Sequence, residues 1–236
     1  DERLRNGWGL STGTFAPLTG EIDPTTLPST PTMSTGHNAS AFIINVDPNS
    51  ENRGRRIPVD VSFLTDTDEL SPEHYLAAIP VFGFVREPTT IYALVVTDLI
   101  RDLDGERLGR STAFHDAFED NRNAHDELRE QLGLLKETLA RESYDLGRVV
   151  GASIFTTMDP DAELLKLAQW TETQPTPTLT SPWEVTEDYE SYSVVVGTYK
   201  VPVIQLDTRP YANSGDGQIA YDLDGQPLIE DTQEIH

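Results

Sequence analysis

The chain has 236 residues, with 40 acidic and 17 basic side chains and a formal net charge of −23 at pH 7. This length suffices for one large or two modest domains. The charge argues against nucleic acid and anionic membrane surfaces as partners, because their phosphates would face like charge. The absence of cysteine excludes disulfides, thiol catalysis and thiolate metal sites.

No apolar run reaches the roughly 18–20 residues that cross a bilayer, so we expect no membrane span. The chain opens on charged residues and not on a signal peptide. On this basis we expect either a cytosolic protein or a mature or trimmed piece of a longer one.

The first half of the chain alternates β-prone runs with turn signals. Short strands are possible around Gly9–Phe15, but the prolines up to residue 31 exclude a helix there. Runs rich in β-branched and aromatic residues predict strands at Ala41–Val46, Ile57–Phe63 and Ile91–Thr97. Pro72–Ala78 is equally compatible with a short helix and a strand. The spacing of the turns predicts a β-sandwich over about residues 1–110.

The pattern then becomes helical. Ser111–Asp120 begins with an N-capping residue and predicts a short helix. Residues 123–143 predict an amphipathic helix, whose apolar face is formed by Leu128, Leu132, Leu135 and Leu139.

Two further elements follow the amphipathic helix. Val149–Thr157 returns to strand chemistry. Met158-Asp159-Pro160 predicts a helix start, with Asp159 as N-cap and Pro160 at the first helical position, leading into a helix over Ala162–Trp170.

A Thr/Pro-rich stretch, residues 171–182, predicts a linker. Beyond it, residues 183–236 predict a β segment with strands at Tyr192–Val196, Gly197–Ile204 and Gln218–Tyr221. A strand begins at residues 233–236, and because a fold rarely stops on such a start, we expect a further domain after it. The whole chain is therefore predicted to be mainly β with a helical insertion at 111–145, an α+β class.

The sequence nominates no catalytic group. The histidines, at positions 37, 74, 115, 125 and 236, include no pair at metal-ligand spacing. A serine nucleophile on a Gly-x-Ser-x-Gly elbow needs a strand before it and a helix after it. Gly9-Leu10-Ser11-Thr12-Gly13 has no flanking helix, so we interpret it as a turn.

Two copies of Asp-Leu-Asp-Gly occur, at 102–105 and 222–225. Paired carboxylates suggest calcium, but an EF-hand-type loop needs a bidentate Glu six residues after the Gly, and neither copy has one. Each copy is predicted first as a hairpin turn. The second lies near another acid, so Asp216, Asp222 and Asp224 are the candidate metal ligands and calcium is the candidate cofactor. Arg53, Arg55 and Arg56 form a basic cluster, predicted to make local ion pairs or to dock a partner.

Several phrases along the chain carry a resemblance to a known family. They include Gly20-Glu-Ile-Asp-Pro-Thr-Thr-Leu-Pro28, Thr89-Thr-Ile-Tyr-Ala-Leu-Val-Val-Thr97, Ile154-Phe-Thr-Thr-Met-Asp-Pro160 and Gly197-Thr-Tyr-Lys-Val-Pro202. They resemble the region that precedes the catalytic domain in a family of bacterial α/β-hydrolase lipases and esterases.

The resemblance implies an Ig-like β-sandwich over residues 1–170 and a β segment, 183–236, that leads into a hydrolase domain. It also implies a secreted or cell-envelope protein whose partner is that catalytic domain, in cis or on a separate chain. The family's nucleophile, acid and histidine have no counterparts here, so no catalytic residue is carried over. Two alternatives stay open: a self-sufficient extracellular adhesion or calcium-binding module, and an enzyme that uses carboxylates alone, for example on glycans.

Overall fold

A computed structural model describes residues 7–65, 73–120, 125–207, 210–213 and 216–235. The protein is mostly β, with 31% strand, 22% helix and several antiparallel sheets. It divides into two compact units: unit 1 ends at Pro160, and unit 2 begins at Asp161. Each unit is described by itself.

Unit 1 is built on two antiparallel sheets. A four-stranded sheet has the order β3-β2-β6-β7, and a three-stranded sheet has the order β1-β5-β4. The strands are β1 (Thr14–Pro17), β2 (Ala41–Asn45), β3 (Arg56–Ile57), β4 (Val59–Leu64), β5 (Tyr75–Pro80), β6 (Ile91–Thr97) and β7 (Val149–Thr156).

One core lies between these sheets. Ile43 and Leu94, which are opposite each other in the four-stranded sheet, share a buried cluster with Leu76 and Ala78 of β5. The predicted strand Ile91–Thr97 is confirmed with its full length, as an interior strand between β2 and β7. Both faces of this strand are covered, and its run of apolar β-branched and aromatic residues, the most β-prone of the sequence, suits that position.

Two of the helices are long, α3 (Asp126–Arg141) and α4 (Ala162–Thr173), and two have a single turn, α1 (Pro31–Ser34) and α2 (Thr112–His115). There are also 3-10 turns at Pro24–Thr26 and Leu146–Arg148 and a π turn at Asp116–Asp120. Ser111 caps α2 as predicted, its Oγ accepting from the Phe114 amide at 3.1 Å. None of the helices in the described ranges has the length and apolar character that a membrane crossing requires.

A second core lies on the other face of the four-stranded sheet. Leu132, Leu135 and Leu139 of α3 are buried against it, in one cluster with Phe42 and Val95. The amphipathic helix is thus confirmed, although its first predicted core position is 41% exposed. Every residue of β2 is buried, since the strand lies between helix and sheet, and its run Ala-Phe-Ile-Ile-Asn therefore shows no polar alternation.

Unit 2 contains α4, a hairpin of β8 (Glu184–Asp188) with β9 (Ser193–Val196), and an antiparallel pair of β10 (Tyr199–Val203) with β11 (Asp231–Ile235), two strands that are far apart in sequence. The predicted helix start at Pro160 is wrong. Asp161 is the N-cap and α4 runs from Ala162 to Thr173, so Pro160 lies in a bend before the helix and not at its first position. The stretch predicted as a strand at 218–221 forms isolated bridges at Ile219 and Tyr221.

Candidate functional site

The one Gly-x-Ser-x-Gly spacing of the chain, Gly9–Gly13, is a turn, as predicted. It leads into β1 and not into a helix, so the sharp strand-to-helix geometry that exposes a nucleophile is missing. The backbone of this turn instead supplies hydrogen-bond acceptors to a buried arginine. Arg86, 1% exposed, donates to the carbonyls of Leu10 at 3.0 Å and Gly9 at 2.9 Å.

The described histidines occupy packing or surface positions. His37 and His74 lie against aromatic rings, with ring centroids 5.4 and 5.9 Å apart. His115 lies in α2, and His125 precedes α3 without a side-chain capping bond. His236 lies outside the described residues.

Both Asp-Leu-Asp-Gly copies form the predicted hairpin turns, with the same internal bonds. In the second, Asp222 Oδ1 accepts from the amides of Asp224 at 2.9 Å and Gln226 at 2.8 Å. In the first, Asp102 Oδ1 accepts from two amides in the same way. The glycine of each turn has φ near +80° (+82° and +76°), the left-handed region that only glycine enters without strain.

The three candidate metal ligands belong to two different turns. Asp216 Oδ2 accepts from the amide and the side chain of Asn213, at 2.8 and 3.1 Å, whereas Asp222 and Asp224 lie in the later hairpin turn. In the ranges that the structure describes, no group of three or more His, Asp or Glu side chains is placed to hold a metal ion. The calcium assignment therefore stays a prediction.

A polar cluster that the sequence did not reveal links two loops of unit 1. Glu87 accepts from the side chains of Ser50 at 2.7 Å, of Asn45 at 3.4 Å and of Asn52. A cleft of about 340 Å³ opens over these loops. The carboxylate is thus held by neutral donors from 35 to 42 residues away in sequence. These bonds tie the loop after β2 to the loop before β6, a structural clamp.

Unit 2 has almost no interior. Among its described residues only Gly197 and Pro227 are buried. A unit of this size needs a larger buried apolar area than that to be stable by itself. Apolar surface is present in quantity, but it is exposed.

The β8–β9 hairpin carries the densest part of that exposed apolar surface. Val195 lies opposite Val185 on one face, and Val194 and Val196 lie on the other. All four valines are exposed, by 37 to 61%. The partners of Val194 and Val196 on their face are Glu187 and Glu184. Both faces thus carry exposed valines, and a two-stranded sheet leaves its edges unpaired.

The ends of the hairpin are packed by aromatic rings. The rings of Tyr189 and Tyr192 stack at 4.7 Å beyond the strand ends. At the open end, a Cβ at Gly197 would come within 2.8 Å of the Trp183 ring. The glycine therefore lets the indole lie against the backbone, while the indole itself remains 61% exposed.

The charge of the hairpin has one sign. Glu184, Glu187, Asp188 and Glu190 lie on it or in its turn, and residues 174–199 contain no lysine or arginine. The exposed surface of the hairpin is therefore apolar at the Val185–Val195 pair and combines valines with Glu184 and Glu187 on the other face. Its fit is to a surface with apolar contacts and basic side chains.

The chain matches no family model, no curated protein and no solved structure.

Proposed function

We propose that this chain is a non-catalytic accessory region of an exported bacterial α/β-hydrolase of the lipase or esterase type. It positions the catalytic domain or shapes access to its cleft. The observation that carries the proposal is the exposed apolar hairpin β8–β9 in a unit whose described residues have almost no core. The identity of the partner, an α/β-hydrolase catalytic domain, is taken from the resemblance of the strand-and-turn phrases to that family.

The physical argument concerns where unit 2 finds its missing core. Valines exposed on both faces of a two-stranded hairpin cost free energy in water, about 25 cal/mol per Å² of apolar surface. That cost is relieved when a partner covers one face or adds a strand to an edge. The catalytic domain that follows unit 2 in the resembled family is the partner in cis.

The nature of unit 1 supports the same role. We assign it an Ig-like β-sandwich as part of the proposal, supported by two antiparallel sheets that share one core. In unit 1, Glu87 is held in the polar clamp, His37 and His74 lie against aromatic rings, and Ser11 lies in a turn. A module of this kind holds a neighbouring domain at a defined position at a secreted or cell-envelope location.

Two measurements test the proposal. The codons after residue 236 are expected to encode a Gly-x-Ser-x-Gly elbow with a later Asp and His. The isolated chain is expected to leave p-nitrophenyl esters of short and long acids intact, and the longer protein to hydrolyse them. A stop codon after residue 236 contradicts the proposal, and so does ester hydrolysis by the isolated chain that a Ser11→Ala variant abolishes.

A further inference from the structure

A short turn in unit 1 presents aromatic side chains to solvent. The turn Val81–Val85, here called the Phe82 turn, is closed by the Phe84 amide donating to the Val81 carbonyl at 2.9 Å. Gly83 follows its tip with φ +93°. Phe82 is fully exposed, and Phe84 and Val85 are 49 and 61% exposed. The turn contains no charged residue.

The apolar surface continues onto the outer face of the three-stranded sheet. Ile79, at the end of β5, and Phe15, in β1, are both about half exposed. They lie side by side, since the Cβ position of Gly13 would be 3.3 Å from an atom of each. The exposed apolar surface of the Phe82 turn therefore continues onto the exposed side chains of Ile79 and Phe15.

One arginine of the basic cluster flanks the Phe82 turn. Arg55 is exposed and lines a groove of about 100 Å³ together with Phe84 and Val85. Arg53 of the same cluster pairs with Glu137 at 3.1 Å, and Arg56 lies over the Phe42 ring at 3.6 Å. Arg55, in contrast, makes no side-chain hydrogen bond or ion pair with the described part of the chain.

We infer that the Phe82 turn and Arg55 together bind the surface of a zwitterionic phospholipid bilayer. Phenylalanine on the apolar side of an interfacial segment enters the boundary between headgroups and acyl chains, where Phe82 and Phe84 would lie. A guanidinium pairs with phosphate oxygens, and Arg55 lines the same groove as Phe84 and Val85 of the turn. The net charge of −23 selects against anionic lipids.

The shape of the turn favours a lipid over a protein as its occupant. A fully exposed phenylalanine on a protruding turn contributes to a protein interface when the partner supplies a matching pocket. A fluid bilayer surface accepts such a protrusion without a preformed pocket. This inference concerns unit 1 and does not depend on the function proposed for the hairpin of unit 2.

Flotation of the full chain with phosphatidylcholine vesicles tests the inference. Phe82→Ser is expected to weaken partitioning by about tenfold, the loss of one buried aromatic side chain. Arg55→Gln is expected to weaken it by about two- to fivefold, the loss of one exposed pairing with a phosphate. Leu223→Ser is the matched control, because Leu223 is 98% exposed at the tip of a turn in unit 2, and it is expected to bind as the unaltered chain does.

A Phe82→Trp variant gives a second readout that does not rely on loss of binding. Its fluorescence is expected to shift to the blue on vesicles and to be quenched by brominated acyl chains. Vesicles rich in phosphatidylglycerol are expected to bind more weakly than phosphatidylcholine. Absence of flotation with phosphatidylcholine overturns the inference, as do equal binding by Phe82→Ser and Leu223→Ser, an unquenched Trp, or tighter binding to the anionic vesicles.

Discussion

Replacing Arg86 by methionine tests how the segment before β1 is held. The guanidinium is buried and donates to the carbonyls of Gly9, Leu10 and Thr12 and to the hydroxyl of Thr14. Burial lowers the pKa of the Arg86 side chain, but arginine keeps its proton in proteins, so the side chain stays charged at neutral pH. Methionine keeps the stem and removes every donor.

The magnitude follows from what the three carbonyls lose. An acceptor left buried without a donor costs about 1–3 kcal/mol. Gly9 and Leu10 are half-buried and Thr12 is exposed, so water replaces part of the lost bonding in the variant. We therefore expect the free energy of unfolding to fall by about 3 kcal/mol and the melting temperature by about 6–12 °C.

Urea unfolding followed by tryptophan fluorescence measures the change, and Trp8 reports directly on the affected segment. Hydrogen exchange is expected to rise across residues 8–15. Arg107→Met is the control, because Arg107 is mostly exposed and pairs with Asp98 at the surface, an interaction of about 1 kcal/mol or less. Equal stability of the Arg86→Met and Arg107→Met variants would refute the reasoning.

Three further predictions address the core under α3, the pKa of Tyr221 and the second Asp-Leu-Asp-Gly turn. Leu135→Ala truncates a fully buried side chain of α3 and is expected to lower the free energy of unfolding by about 2–5 kcal/mol, because it leaves a cavity in the core. Leu128→Ala, at a half-exposed position of the same helix, is expected to lower it by less than about 1 kcal/mol. Urea unfolding measures both changes. Burial and a 2.7 Å hydrogen bond to Glu163 raise the pKa of Tyr221 to about 12. The folded state therefore holds this proton more tightly than the unfolded chain. The resulting contribution to the free energy of unfolding is full below about pH 10 and is lost as the pH rises to about 12. A difference titration at the tyrosinate absorption band against Tyr221→Phe is expected to show this late step, and a midpoint near 10 would contradict it. Asp222→Asn keeps a side-chain oxygen that accepts the turn amides and is expected to leave the melting temperature unchanged. Asp222→Ala removes that acceptor and is expected to lower the free energy of unfolding by about 1 kcal/mol. A rise in melting temperature with millimolar calcium that Asp222→Asn abolishes would instead identify a metal site.

The elements that the sequence predicted well are those whose local pattern agrees with their burial. Ile91–Thr97 and Ala41–Asn45 lie in a sheet covered on both faces, and this requires the apolar β-branched runs that the sequence contains. The α3 leucines recur with the period of one helix face. β8 was missed because its sequence, Glu-Val-Thr-Glu-Asp, is rich in residues that strands disfavour. Its pairing with the valines of β9 outweighs that local preference.

The interactions between distant residues could not be predicted. Glu87 and its partners Ser50 and Asn52 are 35 or more positions apart, and no local pattern relates them. A buried Arg86 contradicts the usual exposure of arginine, and the turn carbonyls, the Thr14 hydroxyl and the Phe155 ring around it explain its position. The candidate docking hairpin was predicted in part, since Tyr192–Val196 was assigned to a strand, but the absence of a core around it is a property of the assembled chain.

Hydrogen exchange of the β8–β9 hairpin tests the proposed function most directly. The chain is compared alone and joined to the hydrolase domain encoded after it, with Val185→Ser/Val195→Ser as the hairpin variant and Leu223→Ser as the control. We predict strong protection of residues 184–196 in the joined protein, lost in the hairpin variant and retained in the control. Equal exchange of the hairpin with and without the catalytic domain would contradict the account.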